Sequence, residues 1–226
     1  MVYCSNRSYK QYMNIITLSA KARCGKDTAA QYLLDNLENS TSYALAACFK
    51  ESIAIHFAEF VNRDDVFGYG VDRNSYIIYV ERSDFIERVE RIYEDFGYRL
   101  DQYDIDWNVI DDNNGWTIRR IMQVVGTDIG VNQIDTNIWL NEFEKAMFSL
   151  EQVYDTVVMV DCRQTHEIEF VRERGGSVIH ILRETGLTDD HITEQGLPVE
   201  DGDFVVDNNG SLEEFYQKLD SVLTQI

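Results

Sequence analysis

The sequence predicts an α/β fold, a parallel sheet covered by helices, and three observations carry that reading. Short apolar runs alternate with helix-period segments along most of the chain. One of these runs, 156–161 (TVVMVD), is apolar on both faces, as strands buried inside a parallel sheet are, and it ends in a carboxylate. With 226 residues, 44% of them hydrophobic and 12% aromatic, the chain carries enough apolar material to bury a sizeable core.

The elements follow in order. Residues 14–19 (NIITLS) read as a buried first strand. A glycine-containing turn comes next, then a helix over about 28–37 with Ala29, Ala30, Leu33 and Leu37 on related faces. Residues 43–46 are a weaker strand candidate. Between 51 and 132 the chain becomes helix-rich and acidic, with no interior strand expected; Phe85, Ile86, Val89, Ile92, Tyr93 and Phe96 mark one amphipathic helix. No Pro/Gly/Ser linker flanks this stretch. It is therefore expected as an insertion on the rim of the sheet, within a single domain whose core is 13–50 and 133–226. Residues 177–182 (SVIHIL) and 203–206 (DFVV) read as further parallel strands. The last helix opens on Ser211 and Glu214, an S-x-x-E capping box, and carries a stripe of Leu212, Phe215, Leu219 and Val222.

Charge narrows the function. Forty acidic residues against 20 basic ones give a net charge of -20, and a pI near 4.4 argues against binding nucleic-acid backbones, which needs clustered Lys and Arg. An anionic ligand must be met by a few local cations. No apolar run reaches the roughly 18 residues of a membrane span, so no membrane partner is expected. Cys4, Cys24, Cys48 and Cys162 are scattered without CxxC pairs or histidines at ligand spacing, which predicts reduced thiols in a cytoplasm. Residues 1–12 are polar, lack the apolar core of a signal peptide, and are expected as a flexible extension.

Directly after the first strand comes Ser19-Ala20-Lys21-Ala22-Arg23-Cys24-Gly25-Lys26-Asp27-Thr28. The spacing fits G-x-x-x-x-G-K-[ST], with Ala20 in place of the first glycine and Asp27 in place of the hydroxyl residue. Such a loop turns its N–H groups inward, ends on the positive end of a helix, and lays a lysine across terminal phosphates. Gly25 supplies the turn, Lys26 the cation, and Arg23 a second, forked cation. Asp27 or Thr28 is left to meet a metal shell. The plainer alternative is a basic strand-to-helix turn capped by Asp27.

In 117–132 (TIRRIMQVVGTDIGVN), a helix at about 100° per residue gathers Arg119, Arg120, Gln123, Gly126 and Thr127 on one arc. Ile118, Ile121, Met122 and Val125 lie opposite. Two arginines for a phosphate, a glutamine for a base edge and a glycine for close packing would make a nucleotide cradle; an ordinary amphipathic helix with solvated arginines is the alternative. Trp139 stacks on a base or fills core. Asp161 closes a strand at the sheet edge where ligands of open α/β folds bind. There it is placed to orient a metal shell, with Arg163 able to reach a transferring phosphoryl group. Glu167, one helical turn beyond, is expected to hold that guanidinium.

These stretches resemble the bacteriophage deoxynucleoside monophosphate kinases, a P-loop kinase group similar to animal phosphomevalonate kinase. The resemblance rests on the loop ending G-K-D-T, on Arg119 to Asp128 (RRIMQVVGTD), on Asp161-Cys162-Arg163-Gln164 with His166-Glu167, and on His191 to Pro198 followed by Asp201-Gly202-Asp203 and Asn208 to Ser211. It implies a three-layer α/β/α fold of the P-loop, NMP-kinase type, with about five parallel strands and a helical NMP-binding insertion. It also implies transfer of the γ-phosphoryl of ATP to a deoxynucleoside monophosphate with Mg²⁺. Arg23, Cys24, Gly25, Lys26, Asp27 and Thr28 would hold the ATP phosphates, and Asn208, Asn209 and Gly210 would lie near adenine. Arg73, Arg119, Arg120, Gln123, Gly126, Thr127 and Trp139 would bind the dNMP. Lys26, Asp161, Arg163 and Glu167 would form the transfer centre, with Mg²⁺ met by Asp27 and Asp161 through water. Family habit points to a homodimer acting in the host cell cytoplasm. Phosphomevalonate kinase activity and a non-catalytic nucleotide-binding regulator are the rival readings.

Overall fold

The computed structural model describes residues 13–21, 23–75, 77–111, 115–184 and 197–226. The chain divides into two compact units, one of 1–43 with 145–226 and one of 44–144. The expected 1–12 extension and most of the His191 to Pro198 motif lie outside the described residues.

In the first unit, five strands form one all-parallel sheet: β1 (Asn14–Ala20), β2 (Ser40–Tyr43), β3 (Thr156–Cys162), β4 (Ser177–Leu182) and β5 (Phe204–Asp207). Their order is β2-β3-β1-β4-β5. The central β1 is flanked by β3 and β4, so three carboxyl ends surround the loop that leaves it. Alternation along β1 sends Ile16 and Leu18 to one face. There they join Ala29, Ala30 and Leu33 of α1 (Lys26–Asn36) and Phe215, Leu219 and Val222 of α8 (Leu212–Leu223). Helix α7 (Thr165–Glu173) packs on β1 and β4, with Ile168 and Val171 buried outside that cluster, which completes three layers.

One detail departs from expectation and one agrees with it. The second strand is 40–43, not 43–46; residues 44–46 already turn toward the next helix. Its sequence, STSY, is polar because β2 is an edge strand that pairs with β3 alone and stays half-buried. At the other end, the capping box is present: Ser211 accepts from the Glu214 N–H and Glu214 accepts from the Ser211 N–H.

The second unit is helical: α2 (Ala47–His56), α3 (Arg63–Phe67), α4 (Arg82–Asp95), α5 (Ile118–Gln123) and the start of α6 (Ile138–Leu150). Among its described residues the β-pairing is a single antiparallel bridge, Ile78 to Trp116. Phe85 stacks on Trp116 at 4.1 Å between ring centroids and meets Phe57 edge-on. Residues 124–134 continue α5 as a wider π-helix. Tyr93 Oη donates to the Val125 carbonyl, Trp139 Nε1 to Gly126 at 3.0 Å and Gln133 Nε2 to Asp128 at 2.8 Å, so side chains meet carbonyls along the altered winding. No helix among the described residues is long and apolar enough to cross a membrane.

Candidate active site

The loop after β1 is shaped by two left-handed residues, Arg23 (φ 63°) and Gly25 (φ 95°). Gly25 caps α1, and Lys26 is its first residue. The Lys26 ammonium donates to the Val160 carbonyl of β3 and lies 3.5 Å from Asp27, whose side chain is almost wholly exposed. β3 offers that carbonyl at an irregularity: Thr17 pairs with Met159 but Ser19 with Cys162, which leaves one extra residue in β3. A bulge of this kind re-aims groups beside a site. Asp161 is the other residue in it, next along the strand from the carbonyl that Lys26 meets.

Arg163 and Gln164 follow, and their backbone N–H groups both donate to Glu167, at 2.5 and 3.0 Å. Glu167 is the third residue of α7 and completes a capping box with Gln164. Glu167 thus fixes the Arg163 backbone, and the charge of the Arg163 guanidinium also favours the ionised carboxylate. Burial pushes the Glu167 carboxyl up to about 7 and nearby Asp161 adds to the rise, against the two N–H donors.

A cavity of about 610 Å³ opens beside the loop, between Ser19, Ala20 and Cys24 on one side and the ends of β4 and β5 on the other. Ile181, Leu182, Leu197 and Pro198 give it apolar walls; Asp207 and Asn209 give it polar ones. Asn209 is held by the Glu184 N–H, which donates to its Oδ1 at 2.9 Å. Asn208 does not line the cavity. Its buried amide donates to the Cys24 carbonyl at 2.8 Å. Gly210 is exposed at the start of the turn into α8.

Sequence reasoning missed the brace behind this cavity. Arg172 of α7 forks onto Asp203 at 2.5 and 3.1 Å and also donates to the Pro198 carbonyl. His180 meets the same Asp203 at 2.9 Å. Burial would raise the Asp203 carboxyl, but Arg172, the Glu200 N–H and His180 together hold it down at about 2. A charged pair separated by 31 residues leaves no local signal in the sequence.

In the second unit, the arginines cluster at the start of α5. The Arg119 N–H donates to the Arg73 carbonyl at 3.2 Å, and the Arg73 guanidinium lies 3.7 Å from the Met122 sulfur. Arg120 donates to the carbonyls of Gly115 (2.6 Å) and Asp111, and lies 4.4 Å over the Trp116 ring. The Arg73 backbone thus lies against that of Arg119, next to Arg120, with Gln123 half-buried on the next turn. The rest of the predicted arc is rewound. Gly126 and Thr127 are buried, in a segment that is wound as a π-helix from 124 and buried on both sides. A Cβ on Gly126 would stand 2.8 Å from the Phe49 ring, so the close packing inferred at this glycine is with Phe49. Trp139 is 7% exposed and packs on Phe49 and Phe96.

Comparison with known proteins agrees with the geometry. A family model described as "Deoxynucleotide monophosphate kinase" matches residues 14–219. The Deoxynucleotide monophosphate kinase of Escherichia phage RB69 is 36% identical over 245 aligned residues, covering 93% of this chain and all of the relative. That of Enterobacteria phage T4 is 32% identical, covering 93% of this chain and 99% of the relative. With strand-end lysine and carboxylate, glycine-turned loop and adjoining cavity all in one unit, the chain belongs to the deoxynucleotide monophosphate kinase family.

Proposed function

We propose that this protein is a deoxynucleoside monophosphate kinase that moves the γ-phosphoryl of ATP to a dNMP, giving dNDP and ADP. The observation that carries the proposal is the convergence of Lys26, Asp161 and the Gly25 turn on one edge of the sheet, beside a cavity of about 610 Å³. That volume lies within the range of ordinary small-molecule sites. The cavity residues receive the donor's nucleoside, and Lys26 with the loop amides holds its phosphates. Mg²⁺, when bound, neutralises charge between the phosphates; the exposed Asp27 and the strand-end Asp161 fit water-mediated contacts to such a hard cation. Transfer needs positioning and charge stabilisation more than covalent chemistry. Arg163, with its backbone fixed by Glu167, is the residue assigned to the phosphoryl in flight.

Arg73, Arg119 and Arg120 supply the positive field for the acceptor's 5′-phosphate, and Gln123 reads its base edge. Gly126 and Trp139 support that surface from behind through Phe49, with Thr127 beside them in the acceptor site. Family membership favours this acceptor over phosphomevalonate and turnover over mere binding. The enzyme is expected to work in the cytoplasm of the infected cell, as a homodimer.

The test is ADP release from ATP and Mg²⁺ with each common dNMP and NMP in turn, phosphomevalonate included, with Lys26→Ala as the blank. Turnover with one or more dNMPs that falls by about a thousandfold in the variant is the expected result. Turnover with phosphomevalonate alone would overturn the acceptor assignment.

A further inference from the structure

Asn208 was expected near adenine, and its side-chain amide faces the phosphate loop. Four features define its position. Asn208 is 8% exposed. Its own N–H donates to the Leu182 carbonyl of β4 at 2.8 Å, which fixes its backbone to the sheet just beyond β5. Its Nδ2 donates to the Cys24 carbonyl at 2.8 Å. A Cβ built on Gly25 would fall 2.4 Å from that same nitrogen. Glycine at 25 is thus required twice, by its φ of 95° and by the space that Asn208 occupies.

The consequence follows from peptide geometry. In a planar trans peptide the carbonyl and the next N–H point in opposite directions. With the Cys24 carbonyl drawn to Asn208, the Gly25 N–H is turned away from it, and the sense of the turn into α1 is set. Cys24 is itself buried, its thiol 3.7 Å from the Arg183 carbonyl. The loop is therefore gripped at one residue by the segments that follow both β4 and β5.

We propose that Asn208 is a positioning residue of the phosphate loop: from the end of β5 its side-chain amide orients the Cys24–Gly25 peptide so that the loop N–H groups meet the donor's phosphates. This rests on the donor reading above. Asn208 then serves the phosphates and not the base, although it adjoins Asn209, which lines the cavity.

Asn208→Leu tests it, because leucine is close in size and has neither donor nor charge. Two partial mimics of the donor, adenosine and inorganic tripolyphosphate, are used as inhibitors competing with ATP in the full-length protein. The expected result is a tripolyphosphate inhibition constant raised about tenfold, as for loss of one hydrogen bond to a buried carbonyl. The adenosine constant and the KM for dNMP stay within about twofold. Equal weakening of both inhibitors would return Asn208 to the base pocket and overturn the proposal, as would no change in either. If wild-type protein is not inhibited by tripolyphosphate at all, the donor reading fails first. Asn208→Ala carries the same measurement should the leucine variant not fold.

Discussion

The phosphate loop and the arginine stripe are built in opposite ways. The loop takes its shape from backbone groups at strand ends: a carbonyl of β3 receives Lys26, and the residue after β5 holds the Cys24 carbonyl. The stripe lies on a helix whose winding changes midway, and its side chains are set by what packs behind them, Phe49 against Gly126 and Tyr93 against Val125. A short motif describes the first because its geometry is local. No fixed angle per residue describes the second.

The comparison breaks most sharply if the two regions fail to divide the substrates between them. Arg163→Ala is expected to lower kcat by about a hundredfold with little change in either KM, since its task begins when charge develops in transfer. Arg119→Ala is expected to raise the KM for dNMP by tenfold or more and leave that for ATP unchanged. Steady-state kinetics with each substrate varied in turn decides both. Comparable losses for both substrates in Arg119→Ala would remove the stripe from the acceptor.

Gly126→Ala sharpens the comparison on the packing side. The added methyl meets the Phe49 ring at 2.8 Å in a buried, aromatic-lined place, which costs about 2 kcal/mol as overpacking. A denaturant titration should show the loss, and Phe49→Leu in the same chain should recover part of it. No loss would mean that Phe49 moves freely and that the π-segment is not held from behind.

Legibility in the sequence follows the same division. The buried strands β1, β3 and β4 were plain because a parallel sheet demands apolar residues on both faces. β2 was displaced by three residues because an edge strand has no such demand. The turn at Gly25 and the place of Asp161 near the end of β3 were legible, since strand, turn and helix follow one another within a few residues. The π-winding of 124–134 was not, because only Tyr93, Trp139 and Gln133 at the carbonyls reveal it. Nor was the Arg172–Asp203–His180 brace, which unites three elements through charge and burial. Asn208 shows an intermediate case: the motif located the residue, and tertiary contact gave it a different partner.

The last prediction concerns Glu167, the hinge between motif and packing. Its carboxyl is raised to about 7, first by burial and then by Asp161. The folded chain therefore holds this proton more tightly than the unfolded chain, where a glutamate titrates near 4.3. The resulting stability is complete below that value and is lost as pH rises through about 7, by up to about 1.4 kcal/mol for each pH unit within the window. Glu167→Gln should keep the cap, since glutamine also serves at the third helical position, and should remove this slope while other groups titrate as before. Melting temperatures of both proteins between pH 5 and 8 measure the difference. Parallel slopes would mean that Glu167 is ionised throughout, and that two N–H donors are enough to hold a buried charge beside Asp161.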